Sequence, residues 1–286
     1  MNTLQACKEI QNKFHIIGRE NELNLLLLAI NAGKHILIEG EVGVGKTTIA
    51  KALAEFNCTS FHRVDGTEDT FSHTLVGYYD PPVVIAKGYS EESFIYGPLS
   101  KAMMEGGILF INELNRMPES TQNILLTALD ENLLAIPKLK PIKGDSKFRI
   151  IATQNPQAHV GTTAVGEALK DRFVWLQLDY QPEPEEVEIT LQKMNEQNEQ
   201  NKKIAQIAVK IVRETRKSDK LRRGASIRGA IDMAQMLQYM NEITPSDWVK
   251  IGKMALITKV EVQDAVEESV EQIIEKIVLD VLGNFQ

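Results

Sequence analysis

The sequence predicts an α/β fold, in which a parallel sheet is covered by helices on both faces and is followed by a smaller helical part. Short apolar runs alternate with helical patterns through the first two thirds of the 286 residues, and a hydrophobic content of 43% is ample for a sizeable core. Five segments are predicted as strands: KHILIEG at 34–40, SFHRVDG at 60–66, GGILFIN at 106–112, KFRIIATQN at 147–155 and RFVWLQLDY at 172–180.

A domain boundary is predicted near residue 180. The segment QPEPEE at 181–186 places two prolines among acidic residues, which suits a linker and a helix start better than a strand. We therefore expect one domain at 1–180 and a small, all-helical domain at 181–286. Apolar residues of the second domain form two stripes at helical spacing: Ala230, Met233, Ala234 and Leu237, and Val266, Val270, Ile273, Ile277 and Val281.

The segment GEVGVGKT at 40–47 fits the phosphate-loop pattern G-x-x-x-x-G-K-[ST] and lies between a predicted strand and a predicted helix. Glycines let the backbone N–H groups surround phosphates, while Lys46 reaches the β- and γ-phosphates and the Thr47 hydroxyl binds Mg²⁺. A chance glycine-rich turn would lack this strand and helix context. The predicted nucleotide-binding residues are Gly40, Glu41, Val42, Gly43, Val44, Gly45, Lys46, Thr47 and Thr48.

Glu113 follows directly on the apolar run ILFI, so its carboxylate is expected at the carboxyl edge of the sheet, where open α/β sheets bind ligands. There it could deprotonate an attacking water; the alternative is a solvent-facing Glu at a strand end. Most phosphate-loop enzymes have Asp where this chain has Asn112. We expect Thr47 and Asn112 to support Mg²⁺, with Asn112 doing so more weakly than an Asp at this position would. Asn112→Asp is then expected to tighten the Mg²⁺ dependence of turnover.

These motifs resemble those of AAA+ ATPases, and more narrowly of the MoxR family, from about residue 17 to residue 260. The stretch NELNRMPESTQNILLTALDE at 112–131 is similar to the MoxR segment that follows the acidic couple, and it matches Glu113 to the catalytic acid. The resemblance implies a P-loop NTPase αβα sandwich with a five-stranded parallel sheet, followed by a helical lid. It also implies ATP and Mg²⁺ as ligands.

Further site residues follow from the resemblance, motif by motif. IIGREN resembles the element that lies beside the adenine, at Ile17 and Gly18. ATQNP is similar to the sensor 1 strand end, with Asn155 as the polar residue near the γ-phosphate. LKDRF resembles the segment with the arginine finger, at Arg172, and GASIRGAI resembles the sensor 2 segment, at Arg228. An isolated Asn or Arg is more often a turn or surface residue, but the order and spacing favour these roles.

Two inserted hairpins are predicted, at about 78–98 and 132–149, because each segment has two short apolar runs around polar residues. In related rings such hairpins touch the client; the alternative is a pair of surface loops. The family resemblance implies a ring, taken as a hexamer, that remodels or matures a partner protein. One such partner class carries a von Willebrand factor A domain.

Two alternatives to a protein remodeller remain open. A nucleic-acid motor would have similar motifs, and it is supported by a basic run with Arg213, Arg216, Lys217, Lys220, Arg222 and Arg223. However, the net charge is -7 and the aromatic content 6%, which give little general attraction for nucleic acid and few stacking platforms. The other alternative is a nucleotide-gated scaffold with little turnover, which a turnover assay separates from an ATPase.

The chain has two cysteines, Cys7 and Cys58, without metal-ligand spacing. We expect no disulfide framework, and Cys58 is expected to fill the core. No leader pattern and no window of about 18 apolar residues is found. These observations predict a cytoplasmic protein with no membrane span.

Overall fold

The structure is a computed structural model that describes residues 3–57, 59–155 and 165–284. Its chain forms two compact units. Met1–Glu41 and Gly45–Asp179 make up the first, and Val42–Val44 group with Tyr180–Gln286 in the second. Cys58, which the sequence places in the core, lies outside the described residues, whereas Cys7 is buried.

The first unit is built on a parallel sheet of five strands, in the order β2 (Phe61–Asp65), β5 (Ile108–Asn112), β8 (Arg149–Gln154), β1 (His35–Gly40) and β9 (Phe173–Leu178). These strands coincide with the five predicted segments, so the predicted fold class is confirmed. β5 is apolar along its buried length, as expected of a strand with both faces covered. The strands of the chain are β1 His35–Gly40, β2 Phe61–Asp65, β3 Gly77–Tyr79, β4 Phe94–Tyr96, β5 Ile108–Asn112, β6 Leu133–Leu134, β7 Ile142–Lys143, β8 Arg149–Gln154, β9 Phe173–Leu178, β10 Leu221–Arg223 and β11 Glu261–Val262.

Helices cover the sheet of the first unit and make up most of the second. Short 3-10 helices span Glu91–Ser93, Leu114–Arg116 and Ile257–Lys259. The α-helices are α1 Thr3–Phe14, α2 Glu20–Asn31, α3 Lys46–Phe56, α4 Ser72–Val76, α5 Pro81–Lys87, α6 Pro98–Glu105, α7 Glu119–Asp130, α8 Glu167–Lys170, α9 Glu183–Gln192, α10 Glu199–Lys217, α11 Ile227–Leu237, α12 Pro245–Leu256 and α13 Val270–Gly283.

Two antiparallel ribbons lie in the inserted segments. β3 pairs with β4, and β6 pairs with β7. The first insertion also carries the short helix α5, which begins at two prolines, and Pro suits the first turn of a helix because it has no N–H to satisfy. α5 has no buried residue, so the chain between β3 and β4 presents apolar side chains to solvent.

The second unit packs its helices around their own apolar core, which includes the predicted stripe from Ala230 to Leu237. The residues before α12 and α13 explain where these helices begin, since Thr244 and Ser269 each form a capping box with the residue three positions later. Val266 lies before α13 but still packs against this core. A ribbon of β10 and β11 adds to the helices. No helix among the described residues is long and apolar enough to cross a membrane.

Candidate active site

The phosphate-loop segment connects β1 to α3, as the motif requires. Gly43 and Gly45 have φ values of 88° and 96°, in the left-handed region that side chains disfavour, so glycine is needed for this tight turn. Lys46 is the first residue of α3 and is only 8% exposed. Its Nζ donates to the Glu41 carbonyl at 3.0 Å and to Asn155 Oδ1 at 3.1 Å. Thr47 and Thr48 follow in the first turn of α3.

Glu113 comes directly after β5 and adopts a left-handed conformation, with φ 58° and ψ 54°. A non-glycine residue in this region is under strain that the surroundings must hold, a feature that clusters at functional sites. Its N–H donates to Thr153 Oγ1 at 3.0 Å. Its carboxylate accepts from Asn155 Nδ2 at 3.3 Å and pairs with Arg116 Nε at 2.9 Å.

Three of the predicted site residues therefore meet in one hydrogen-bonded group. Asn155 follows β8, Glu113 follows β5, and Lys46 follows the loop after β1. Because neighbouring parallel strands end at the same edge of a sheet, these segments bring an ammonium, an amide and a carboxylate together. A phosphate-binding cation next to a water-activating base is the arrangement that nucleotide hydrolysis needs.

Asn112 lies beside an acidic residue that the sequence reasoning missed. Asp65, the last residue of β2, is in register with Asn112, the last residue of β5. Asn112 Nδ2 donates to Asp65 Oδ1 at 3.0 Å, and Asn112 Oδ1 accepts from the Thr153 hydroxyl at 3.2 Å. The hydrogen bond from Arg63 holds the pKa of Asp65 below its ordinary value, and the bond from Asn112 adds to this effect. An ionised carboxylate, ion-paired with Arg63, thus lies next to the amide.

Gly66 is a second residue that the sequence reasoning missed. Its N–H donates to the Asn112 carbonyl at 2.7 Å. A Cβ added to Gly66 would lie 2.3 Å from the Glu113 carbonyl oxygen. No side chain can be accommodated there without moving the Glu113 backbone, so this glycine permits the strained conformation.

Mg²⁺ takes oxygen ligands and is commonly held by few protein groups together with nucleotide phosphates. The oxygens of Asn112 and Glu113 meet this requirement, as does the hydroxyl of Thr47 at the start of α3. Within the described ranges, no group of three or more His, Cys, Asp or Glu residues could hold a metal by itself. The donor set of Thr47, Asn112 and Glu113 therefore fits an ion that arrives with a nucleotide.

Arg172 lies just before β9 and pairs with Asp130, the last residue of α7, at 2.6 Å. A second bond joins its guanidinium to the Ala168 carbonyl. The structure does not bring Arg172 into the group around Glu113, and it is 29% exposed.

Ile17, Gly18 and Arg228 are the other predicted site residues, and each is described within its own unit. Gly18 has a φ of 64°, and its carbonyl accepts from the Gln11 side chain at 2.6 Å; Ile17 precedes it. In the second unit, Arg228 is the second residue of α11 and is exposed.

Most of the basic run in the second unit is neutralised by carboxylates. Arg213 and Arg216 both pair with the buried Glu186, at 2.8 Å and 2.7 Å. Arg216 also lies over the Tyr180 ring. The other pairs are Lys217 with Glu214, Lys220 with Glu268, and Arg222 with Glu261.

Comparisons with known proteins bear on the family and the fold of the chain. The model of the AAA domain family, dynein-related subfamily, matches residues 35–173. An uncharacterized protein of Staphylococcus haemolyticus is 32% identical over 234 residues, which cover 81% of this chain and 88% of that protein. YojN of Bacillus subtilis, also uncharacterized, is 34% identical over 178 residues, or 60% of this chain and 58% of YojN. The match thus spans less than two thirds of YojN.

Among solved structures, a predicted ATPase of Cytophaga hutchinsonii superposes with a TM-score of 0.51 at 24% identity, over 97% of this chain and 94% of that one. This likeness supports the fold. The family model, together with the phosphate loop and Glu113, leads to the assignment. Over residues 35–173 the chain belongs to the AAA domain family, dynein-related subfamily, and it is an ATP-hydrolysing enzyme.

Proposed function

We propose that this protein is a MoxR-type ring ATPase that uses ATP and Mg²⁺ to remodel or mature a partner protein. The observation that carries the catalytic part is the group in which Asn155 accepts from Lys46 and donates to Glu113. The contacts within this group support a distinct role for each residue.

Lys46 binds the β- and γ-phosphates, because it opens α3 where backbone N–H groups already favour an anion. Glu113 accepts a proton from the attacking water. Asn155 lies between them, so its amide can orient the water relative to the γ-phosphate. When Mg²⁺ is bound, it neutralises charge on the phosphates; Thr47 and Asn112 are the residues that would support it.

The ring is proposed from Arg172. Its guanidinium is partly exposed and is held by Asp130 and the Ala168 carbonyl, away from its own Glu113. An arginine at this position is useful for hydrolysis if it reaches the nucleotide of the next subunit. We take six as the subunit number from the family resemblance.

Contact with a protein client is proposed for the first insertion, from β3 to β4. Four apolar side chains of this segment are exposed, led by Ile85 at 87%, with Tyr78, Tyr89 and Ile95 at 44–53%. The second insertion contacts the first, since the Tyr79 hydroxyl donates to the Pro137 carbonyl at 2.7 Å. Clustered exposed apolar groups of this kind are typical of protein interaction sites. The resemblance suggests a client with a von Willebrand factor A domain.

Nucleic acid is a weaker candidate for the partner. Phosphate binding needs cations that are not already paired, and five of the six basic residues in the run from Arg213 to Arg223 have a carboxylate partner. The overall charge of -7 gives no compensating attraction.

The client proposal is tested by affinity capture with ATP, using Glu113→Gln to hold the nucleotide-bound state. We expect a protein that Glu113→Gln retains and that Lys46→Ala does not. Adding Ile85→Ser should release it, whereas adding Met254→Ser, at an exposed apolar position in the second unit, should not. If all four variants retain the same proteins, the remodelling proposal is wrong.

A further inference from the structure

We propose that Asp65 is a positioning residue for the Mg²⁺·ATP site and that it supplies, through Asn112, the negative charge missing at position 112. The inference rests on the proposed Mg²⁺·ATP site. It concerns a residue at the end of β2, on the strand next to β5, that carries no part of the sequence motifs.

The first step is the orientation of the Asn112 amide. A carboxylate is an acceptor only, so the hydrogen bond of 3.0 Å to Asp65 requires the NH₂ group of Asn112 on that side. The amide oxygen then faces the Thr153 hydroxyl, which lies on β8. The strand order is β2-β5-β8-β1, so the oxygen is turned towards the strand that carries the phosphate loop. Without Asp65, the amide could turn its NH₂ group towards a bound cation.

The second step is the direction of the hydrogen bonds around Thr153. Its hydroxyl oxygen accepts from the Glu113 N–H at 3.0 Å, so its proton can be donated to Asn112 Oδ1. The Asn112 amide passes the polarisation on to Asp65 Oδ1, which also accepts from Arg63 at 2.6 Å in an exposed ion pair. Chains of this kind polarise one another, so the carboxylate makes Asn112 Oδ1 a better acceptor for a metal-bound water.

The third step concerns the number of charges in the pair. Asp65 and Asn112 together hold one carboxylate, and their side chains touch at 3.0 Å. Asn112→Asp alone would place two carboxylates in contact, and repulsion between like charges would push the two side chains apart. Asp65→Asn alone would leave none. The expectation from sequence, that Asn112→Asp strengthens metal dependence, is therefore reversed by the presence of Asp65.

The test is a charge exchange across the pair, measured on the full chain. Binding of a fluorescent ATP analogue is titrated with Mg²⁺, and the Mg²⁺ concentration for half-maximal binding is compared among variants. We expect Asp65→Asn and Asn112→Asp each to raise this concentration at least about fivefold. The double variant Asp65→Asn/Asn112→Asp should be better than either single variant, because it again has one carboxylate. Asp69→Asn removes a charge from the segment that follows β2 and should leave the half-maximal Mg²⁺ concentration unchanged.

A double variant that is no better than either single variant would overturn the proposal, as would an Asn112→Asp protein that binds Mg²⁺ more tightly than wild type. If Asn112→Asp unfolds, Asp65→Asn decides alone, and an unchanged half-maximal concentration rules out the role. Nucleotide binding by the wild type that is independent of Mg²⁺ would overturn both this inference and the proposed Mg²⁺·ATP site. A thermal unfolding curve for each variant separates metal binding from loss of fold.

Discussion

The side-chain amide of Asn155 joins Lys46 to Glu113: its oxygen accepts from Lys46 Nζ at 3.1 Å, and its nitrogen donates to Glu113 Oε1 at 3.3 Å. One amide thus joins the Lys46 ammonium, the proposed phosphate-binding group, to the Glu113 carboxylate, the proposed proton acceptor. Neither contact involves the backbone, so the arrangement depends on the Asn155 side chain itself.

We predict that Asn155→Ala lowers turnover by about 10² to 10³ while ATP affinity changes little, because a preorganised polar group near the reacting phosphate acts mainly in the transition state. Steady-state ATP hydrolysis and equilibrium binding of an ATP analogue measure the two quantities. Gln154→Ala is the matched control, since the Gln154 side chain contacts Glu39 instead. Equal losses in both variants would contradict a specific role for Asn155.

The sequence predicted the elements that local patterns define. β5 is an apolar run that ends at Asn112, and the phosphate loop lies between a strand and a helix, so both could be located without tertiary information. The predicted position of Glu113 followed from the same run. The ribbon of β10 and β11 was not predicted, because strands of two or three residues are too short to show a period.

The contacts that the sequence could not predict join distant segments. Asp65 meets Asn112 only because β2 pairs with β5 in one particular register, and 47 positions separate the two residues. The need for Gly66 depends on the close approach of the Glu113 carbonyl. Neither residue belongs to a local pattern, and the one available signal was an acidic residue at the end of a predicted strand.

Gly66→Ala should reduce hydrolysis without preventing ATP binding. The added Cβ would lie 2.3 Å from the Glu113 carbonyl, so the backbone that aims the carboxylate must shift. A misplacement of this kind can cost about a hundredfold in rate. Turnover and analogue binding are measured as for Asn155. Gly166→Ala serves as the control, because a Cβ there meets no described atom within 4 Å. A Gly66→Ala enzyme with wild-type turnover would show that Glu113 does not need this backbone position.

Arg172→Ala should nearly abolish turnover and leave ATP affinity largely intact. An arginine finger stabilises charge in the transferring phosphoryl group and contributes about 10³ to 10⁵ in rate. Lys170→Ala, which removes a nearby exposed cation paired only loosely with Glu167, should have little effect.

Mixing tests whether Arg172 acts on a neighbouring subunit. A subunit with Arg172→Ala keeps its own Glu113, and a subunit with Glu113→Gln keeps its own Arg172, so some interfaces in mixed rings combine both intact groups. We expect activity to reappear in the mixture. Demonstrably co-assembled rings that stay inactive at every ratio would exclude action between subunits.

Stability should fall as the pH drops from about 7 towards 4, in part because of His35. Burial lowers the pKa of His35 from 6.5 to about 4, and Arg149 adds to this shift. The neutral ring is therefore favoured in the fold and accepts the Ile150 N–H at 2.9 Å. Its stabilising contribution is complete above pH 6.5 and is lost between 6.5 and 4, amounting to about 2 kcal/mol by pH 5.

Urea unfolding of the wild type and of His35→Gln at pH 7.5 and pH 5 measures this contribution. The variant should be less stable at pH 7.5 but should lose less stability on acidification than the wild type. An identical pH dependence in the two proteins would show that His35 is not the group responsible.

The proposed active site is tested most directly by comparing bound ATP and turnover in Glu113→Gln and Lys46→Ala. In the proposed mechanism Glu113 acts on water and Lys46 holds the phosphates, and general-base catalysis contributes about 10² to 10⁴ in rate. We predict that Glu113→Gln retains unhydrolysed ATP with turnover reduced by that factor, and that Lys46→Ala binds no measurable ATP. If Glu113→Gln binds ATP no better than Lys46→Ala, or hydrolyses it at the wild-type rate, Glu113 is not the catalytic base.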